Sequence, residues 1–477
     1  MVLGTLHIVG AILTMLLVAA VGIYAGREVK SADDFATSRR RANATLVAGT
    51  LMGTMISGAS TIGTAQLAFQ FGFAAWWWTL GVGLGLAVLG IGFARRLYES
   101  RTDTLPQYLV GTFGDGIGPS ATIFTSLGTY LNLVGNMLAF VALFTSTFRI
   151  APSVAGAIGV LLVLSYVAFG GVWGTGLAGV FKIVILYSAM LSCGVTAYLK
   201  AGGVSGLTAT FPHDPWFSLF GRGLSVDAAA GFSVLLGVLC SQHCFQAIVS
   251  AKNLREARRG TLISALLTPP IGLCGIAVGL YMRATLPQTS SSEALPVFVL
   301  KLFPPFWAGV ALATLLISIV GGLAGMTLGI STMLTKDLYQ KYIRSKAGSS
   351  ELLLVQRLSL LAVCLLAAIN LNGALGSLIL SWSFMSMALR ACSVLFPLIG
   401  ATFFARWVTP MSGVMAALLG PLTGVIWHVA QPKGIDPLYP GLLVSLFVLV
   451  TVSAITARTV GSARVEPVAI PETGRER

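Results

Sequence analysis

About thirteen apolar stretches run along the chain, near residues 5–25, 45–71, 75–96, 119–148, 153–171, 175–199, 229–251, 260–283, 306–334, 353–371, 376–405, 408–430 and 438–457. Each is close to the ~20 apolar residues that a helix needs to cross hydrocarbon. The joints between them are short, so the bundle they predict is essentially the whole chain, a single unit over 1–477. None of the 16 Asp and Glu falls inside a stretch, whereas Lys182 and Arg390 lie well within theirs. An unpaired cation costs about 2.5 to 3.5 kcal/mol at a helix centre, so residues so placed generally serve a pathway or a ligand.

Two stretches read as interrupted helices. In 45–71, Gly53, Gly58 and Gly63 are spaced among Thr54, Ser57, Ser60, Thr61 and Thr64. In 229–251, Gly237 precedes a polar centre, Cys240-Ser241-Gln242-His243-Cys244-Phe245-Gln246. Corresponding breaks in two halves of a chain point to an inverted-repeat transporter, in which unwound backbone lines a central cavity. Ser57, Gly58, Gln242 and His243 are then candidate cavity residues. The plain alternative is a pair of glycine-rich packing faces.

Composition agrees with an all-α, polytopic membrane protein: 56% of residues are hydrophobic, 10% are charged and the mean hydropathy is +0.87. A soluble globule does not have these values. The net charge of +14 suggests nucleic acid, but the basic residues cluster in joints, at Arg39-Arg40-Arg41, Arg95-Arg96, Arg258-Arg259 and Lys341 to Lys346. With the N-terminus outside, most of these cations face the cytoplasm, as does the tail 458–477. The six cysteines lie in apolar segments without metal spacing, so no disulfide framework, metal site or cofactor is expected. The first stretch lacks a basic region before it and is longer than a secretory signal, so it is expected to stay as a helix. The joint 200–228 is the longest exterior one and has room for a short surface helix.

Arg390 has no membrane carboxylate to answer it. Its guanidinium fork suits a carboxylate or phosphate, which suggests an anionic solute; satisfaction by carbonyls of a broken helix, or a place in a cytoplasmic vestibule, is the alternative. His243 suits a titrating or substrate-bonding role as well as an interhelical hydrogen bond. Asn132 and Asn136 lie one turn apart on one face, fitting either solute binding or helix bridging. Lys182 lies about seven residues into its stretch, ~10 Å deep at 1.5 Å per residue, a depth from which its long arm can also reach the surface. Trp76-Trp77-Trp78 suits a headgroup anchor, and Pro269-Pro270 a bend.

The chain resembles the solute:sodium symporters. The likeness rests on Ser31-Ala32-Asp33-Asp34-Phe35, Ser57-Gly58, Gly63, Gly72, Thr104-Leu105-Pro106-Gln107-Tyr108, Gly170-Gly171, Ala251-Lys252 with Glu256-Ala257-Arg258-Arg259, and Leu334-Thr335-Lys336-Asp337-Leu338-Tyr339. The resemblance implies a ten-helix core of two inverted five-helix repeats, 45–199 and 229–405, with an added N-terminal helix at 5–25 and two C-terminal ones at 408–457. It makes 45–71, 119–148, 175–199, 229–251, 306–334 and 376–405 core helices one, three, five, six, eight and ten.

In sodium-driven members of the family the ion sits between core helices one and eight, on backbone carbonyls of the first and two adjacent hydroxyls of the second. Counting from Leu334 to Tyr339 puts Gly321-Gly322 where those hydroxyls belong, while Gly53 and Ile56 supply carbonyls. Counting from Gly170-Gly171 puts Gly179 at a family Asp and Lys182 at a common Gln. Proton-coupled relatives in the wider superfamily place a Lys from this helix at the same location. The resemblance thus implies an ammonium in place of sodium, and burial lets such a lysine gain and lose a proton. An alignment slipped by one turn restores a hydroxyl from Ser318 or Thr327 and with it a sodium site. The resemblance also places Asn132 where a substrate-facing Tyr can occur.

The expectation is a transporter of a small organic solute in the cell membrane, preferably of a carboxylate or amino acid, coupled to protons or facilitated rather than sodium-driven. The competing reading within the fold is a sodium symporter with a reshaped site. A membrane module that senses solute without flux is the alternative of another class, although only about 20 residues follow the last stretch, too few for a fused kinase. No nucleophile, metal cluster or acid pair in the membrane suggests an enzyme. The partners expected are the solute and the bilayer, without nucleic acid; oligomeric state stays open.

Overall fold

A computed structural model describes residues 4–26, 40–430 and 435–459. The Ser31 to Phe35 motif, Arg39 and tail residues 460–477 lie outside the described residues. The chain is helical throughout the described part, and ten of its helical segments are long and apolar enough to cross a membrane. Shorter apolar helices lie at Thr5–Val18, Ala44–Met55 and Pro152–Ser165.

The chain begins with α1 (Thr5–Gly26) and continues into the first broken helix. That helix is α2 (Ala44–Met55), an extended Ile56, a π turn at Ala59–Gly63, and α3 (Thr64–Phe71). The return crossing joins α4 (Trp77–Val88), a π segment and α5 (Ala94–Glu99). Short α6 (Leu105–Phe113) leads into α7 (Ile117–Phe148), which is core helix three.

Next comes α8 (Pro152–Lys200), one continuous helix of 49 residues. Two crossings, 153–171 and 175–199, were expected here, and the structure corrects that boundary. No proline, acid or amide residue lies between Pro152 and Lys182, and glycine weakens a helix without ending it. Gly179 lies on this helix, outside the residues whose side-chain surroundings are described.

The expected exterior joint carries α9 (Gly203–Thr210) and α10 (His213–Trp216). The second broken helix is α11 (Leu224–Leu239), a non-helical Cys240 and Ser241, and α12 (Gln242–Val249). Then follow α13 (Leu254–Thr285), which runs through Pro269 and Pro270, and α14 (Ala294–Leu302). Core helix eight is α15 (Pro305–Met333), extended by a π segment to Ile343. The chain closes with α16 (Ser349–Ala374), core helix ten as α17 (Ile379–Phe403), α18 (Pro410–Ala430) and α19 (Leu438–Thr459).

The stretches entering and leaving the two broken helices are tied together at one end of the bundle. Ala42 and Ala251 form an isolated parallel bridge, in which the Ala42 amide donates to the Ser250 carbonyl (3.0 Å) and the Lys252 amide to the Ala42 carbonyl (2.9 Å). The Ala44 amide donates to Glu256 Oε2 at 2.5 Å, while Asn43 caps α2 and Asn253 caps α13. Capping amides at both positions satisfy helix-start donors that no intrahelical carbonyl reaches.

Close packing rests on missing side chains. A Cβ on Gly309 would lie 2.0 Å from the His7 carbonyl oxygen, which lets α1 lie against α15. Trp78, buried beside the first break, donates its indole N–H to Ser60 Oγ (2.9 Å). Trp76 and Trp77 donate to the carbonyls of Pro269 and Leu219. All three indole N–H groups bond within the protein.

Candidate functional site

A break in a membrane helix frees carbonyls that hydrocarbon cannot satisfy. The hydroxyl-rich sequence around residues 54–64 answers this locally. Ser60 Oγ donates to the Met55 carbonyl at 2.8 Å, and Thr61 Oγ1 to that of Ser57 at 2.9 Å. From across the bundle, Ser318 Oγ of α15 donates to the Ile56 carbonyl at 2.9 Å.

The Gly53 carbonyl, in the last turn of α2, takes a bond from Lys182 Nζ, which also donates to the Ser318 carbonyl at 2.8 Å. Lys182 is 2% exposed, so its arm does not reach the surface. Gly53, Ile56, Ser318 and Lys182, four of the residues assigned to ion coupling, therefore converge between the first broken helix and α15. The carbonyl end of α2 favours a cation through the helix dipole.

Gly321 and Gly322 are buried in the same stretch of α15 and bring no hydroxyl. A Cβ on Gly322 would lie 2.4 Å from Ser57 Cβ, and one on Gly325 would lie 2.6 Å from Thr54 Oγ1. Glycine here is what allows the contact of α15 with the break. Thr327 turns away, its hydroxyl donating to its own helix at Leu323 (2.6 Å).

A second polar chain links core helices one, three and ten. Ser57 Oγ donates to Asn136 Oδ1 at 2.7 Å, and the Ala59 amide donates to the same oxygen at 3.2 Å. Asn136 Nδ2 donates to Asn132 Oδ1 at 3.1 Å, and Ser383 Oγ donates to that oxygen at 2.9 Å. Gly58 faces Asn136 as well, since its Cβ would lie 3.3 Å from Oδ1. Ser57, Gly58, Asn132 and Asn136 are thus brought together, in helix-bridging contacts at the unwound point. Ser383 was missed in the sequence, where nothing but its place on the face of α17 toward α7 marks it.

The second break holds Arg390. Its Nη1 donates to Ser241 Oγ (2.7 Å), its Nη2 to Ser386 Oγ (2.9 Å) and Met387 Sδ (3.0 Å), and its Nε to the Ser386 carbonyl (3.2 Å). Among the described residues no carboxylate pairs with it, and it is fully buried. His243 Nε2 is buried without a partner. Gln242 points elsewhere: its Oε1 accepts from the Leu105 amide (2.9 Å) and its Nε2 donates to the Asp103 carbonyl (3.3 Å), which ties α12 to the start of α6. Asp337, from the Leu334 to Tyr339 motif, accepts from Thr104 Oγ1 (2.9 Å) and Gln107 Nε2 (2.8 Å) at that joint. Among the described residues no group of His, Cys, Asp or Glu is arranged for a metal ion, and all six cysteines are free.

The sequence profile of the sodium:solute symporter family matches residues 35–420. The chain belongs to that family. Among its relatives are the osmoregulated proline transporter OpuE of Bacillus subtilis, 25% identical over 470 residues covering 92% of each chain. A sodium/proline symporter of Staphylococcus aureus is 26% identical over 441 residues, covering 84% of this chain and 83% of that one. In three dimensions the chain matches a substrate-bound, outward-open Na+-coupled sialic acid symporter with a TM-score of 0.78 at 16% identity, over 96% and 98% of the two chains. The nucleobase-cation-symport-1 transporter Mhp1 matches with a TM-score of 0.60 at 12% identity, over 89% and 95%. This symporter-family member is therefore a multi-pass membrane protein of the inverted-repeat fold and a secondary transporter of a small solute.

Proposed function

We propose that this chain carries a small organic solute across the cell membrane by alternating access without sodium, its Lys182 ammonium standing where the coupling cation of sodium-driven relatives would sit. Transport is then proton-coupled or facilitated, with the N-terminus outside, the C-terminus cytoplasmic and no catalytic chemistry. The single observation that carries the reading is the seat of Lys182 Nζ on the Gly53 and Ser318 carbonyls.

A bare hard cation needs a shell of oxygens. Gly321 and Gly322 contribute none from side chains, and Gly322 has no space for one. An ammonium brings its own directed donors, and two carbonyls already occupy two of its three. Its charge then holds α2 to α15, and loss of the proton releases that hold. The names of the relatives support an amino acid as the solute class, since proline carries both a carboxylate and an amine.

Uptake by proteoliposomes tests this, with L-proline as the first probe and the sodium and pH gradients imposed separately. Wild-type uptake is expected to ignore sodium, and Lys182→Gln to lose any response to an inward proton gradient. Sodium-stimulated uptake by the wild type, or an unaltered pH dependence in Lys182→Gln, would overturn it.

A further inference from the structure

The end of the bundle that carries the Ala42–Ala251 bridge also carries a cavity that neither break uses. Its volume is about 360 Å³, and it lies where α17 ends and the joint to α18 begins. Tyr98 Oη, donating to the Lys252 carbonyl at 3.2 Å, fixes the adjoining end of α5 beside the bridge. Tyr108 of α6 shares a hydrogen bond of 3.2 Å with Thr402 at the cavity wall. Phe403 is the last residue of its membrane span, so the cavity sits at the boundary between hydrocarbon and water. The proposed orientation puts that boundary at the inner leaflet.

Two kinds of side chain line it. Arg96 and Arg406 are exposed cations, and no lining residue is acidic. Among the described residues neither forms an ion pair, and Glu99, the one acid on α5, is taken by Arg95 at 3.0 Å. Arg96 is held over the Phe403 ring, 5.1 Å from its centroid, and Phe93 braces that ring edge-on at 5.2 Å. A ring face orients a guanidinium without neutralising it, so the N–H fork stays available to an anion. Phe404 is 54% exposed and Trp407 78%, and aromatic rings left open at this depth seat among headgroups. The crossing that ends at Arg96 also turns Val88 and Ile91 outward, one to two helical turns before the cavity. Arginines that only set topology need nothing but water around them. A concave site with two unpaired cations, no acid and an aromatic rim selects an anion that carries an apolar body.

We propose that this cavity binds the headgroup of an anionic phospholipid of the inner leaflet, with Arg96 and Arg406 taking its phosphodiester. Such a lipid satisfies both halves of the site, the cations through its phosphate and the exposed rings through its glycerol backbone and chains. Free phosphate satisfies only the first. Bound there, the lipid bridges the end of α5 to the end of α17. The inference concerns a surface away from both breaks, and it stands whatever solute or coupling ion the chain uses.

Native mass spectrometry of the full chain, released from micelles holding equal amounts of phosphatidylglycerol and phosphatidylcholine, tests the site. Phosphatidylglycerol should be retained in preference to phosphatidylcholine. Arg96→Gln or Arg406→Gln should weaken its apparent affinity by about fivefold and the double variant by about thirtyfold, the factors for ~1 kcal/mol per cation near an anionic surface. Arg406 has no ring or ion-pair partner among the described residues, so Arg406→Gln carries the test if loss of the Phe403 contact unfolds the other variant. Arg95→Gln is the control: it removes the same charge from the same helix, at a residue paired with Glu99 and outside the cavity, and should change the affinity by less than about twofold. Equal retention of the two lipids, or equal losses in Arg95→Gln and the double variant, overturns the site. Thermal stabilisation by inorganic phosphate that matches that of phosphatidylglycerol assigns the cavity to a free anion and overturns the lipid.

Discussion

Gly322→Ala is the sharpest probe of the contact between the first break and α15. The added methyl would sit 2.4 Å from Ser57 Cβ, 3.0 Å from Ser57 Oγ and 3.4 Å from the Thr54 carbonyl oxygen. Carbon atoms in contact rest about 3.5 to 4.0 Å apart, so α15 and the break must separate by roughly 1 Å or more. Overpacking of this kind costs about 1 to 3 kcal/mol. A separation of that size also stretches the 2.9 Å bond from Ser318 Oγ to the Ile56 carbonyl beyond useful length. The penalty falls on the state in which the two elements touch, so the population of that state drops by about five- to 150-fold for 1 to 3 kcal/mol. Hydrogen exchange of peptides covering residues 56–63 reads this population directly, and their exchange should accelerate by that factor while uptake falls. Gly111→Ala is the control, because nothing lies within 4 Å of a Cβ there. Exchange and uptake in Gly322→Ala equal to those of the control would refute the reasoning.

Three further outcomes follow from the same packing. Asn136→Ala strands the Ser57 hydroxyl and the Ala59 amide in the interior, at about 1 to 3 kcal/mol for each unsatisfied group, and should lower both the melting temperature and the uptake rate. Gly128→Ala puts a Cβ 2.6 Å from Arg390 Cγ and 3.0 Å from the Ser386 carbonyl oxygen, so it should displace the guanidinium from its hydroxyl partners and lower the melting temperature by more than Gly111→Ala does. Asp337→Ala removes the shared acceptor of Thr104 and Gln107, and hydrogen exchange over residues 103–110 should accelerate while exchange at the first break stays unchanged.

What the sequence revealed follows from how strongly each feature is imposed by the bilayer. Both helix breaks were legible because unwound backbone in hydrocarbon requires nearby hydroxyls, and Ser57, Ser60, Thr61 and Ser241 mark the places where carbonyls need donors. The first break lies three residues beyond Gly53, at Ile56, because glycine tolerates a helix and the extended residue ends it. The missing turn between 171 and 175 was not legible: glycine was the sole signal, and the structure continues the helix through it. Direction was also hidden. Gln242 lies in the polar centre of its stretch, yet its amide reaches the joint at Asp103 and Leu105, a tertiary pairing that periodicity does not encode. Depth in a stretch did not decide between a buried and a surface-reaching Lys182; the carbonyls of two other helices decide it.

The two intramembrane cations stand at opposite ends of half-helices, and this polarity gives them different fates. Lys182 meets the carbonyl end of α2, where partial negative charge is concentrated, so the protein itself supplies the compensation. Arg390 meets the amide end of α12, where partial positive charge is concentrated, so the protein aggravates the charge instead of relieving it. A guanidinium does not escape by losing its proton under physiological conditions. Under the proposed coupling the first break cycles on a proton, whereas at the second no described carboxylate balances Arg390. A change of charge on Lys182 at the first break would then reach the second through the helices that pack on both, α15 and α17.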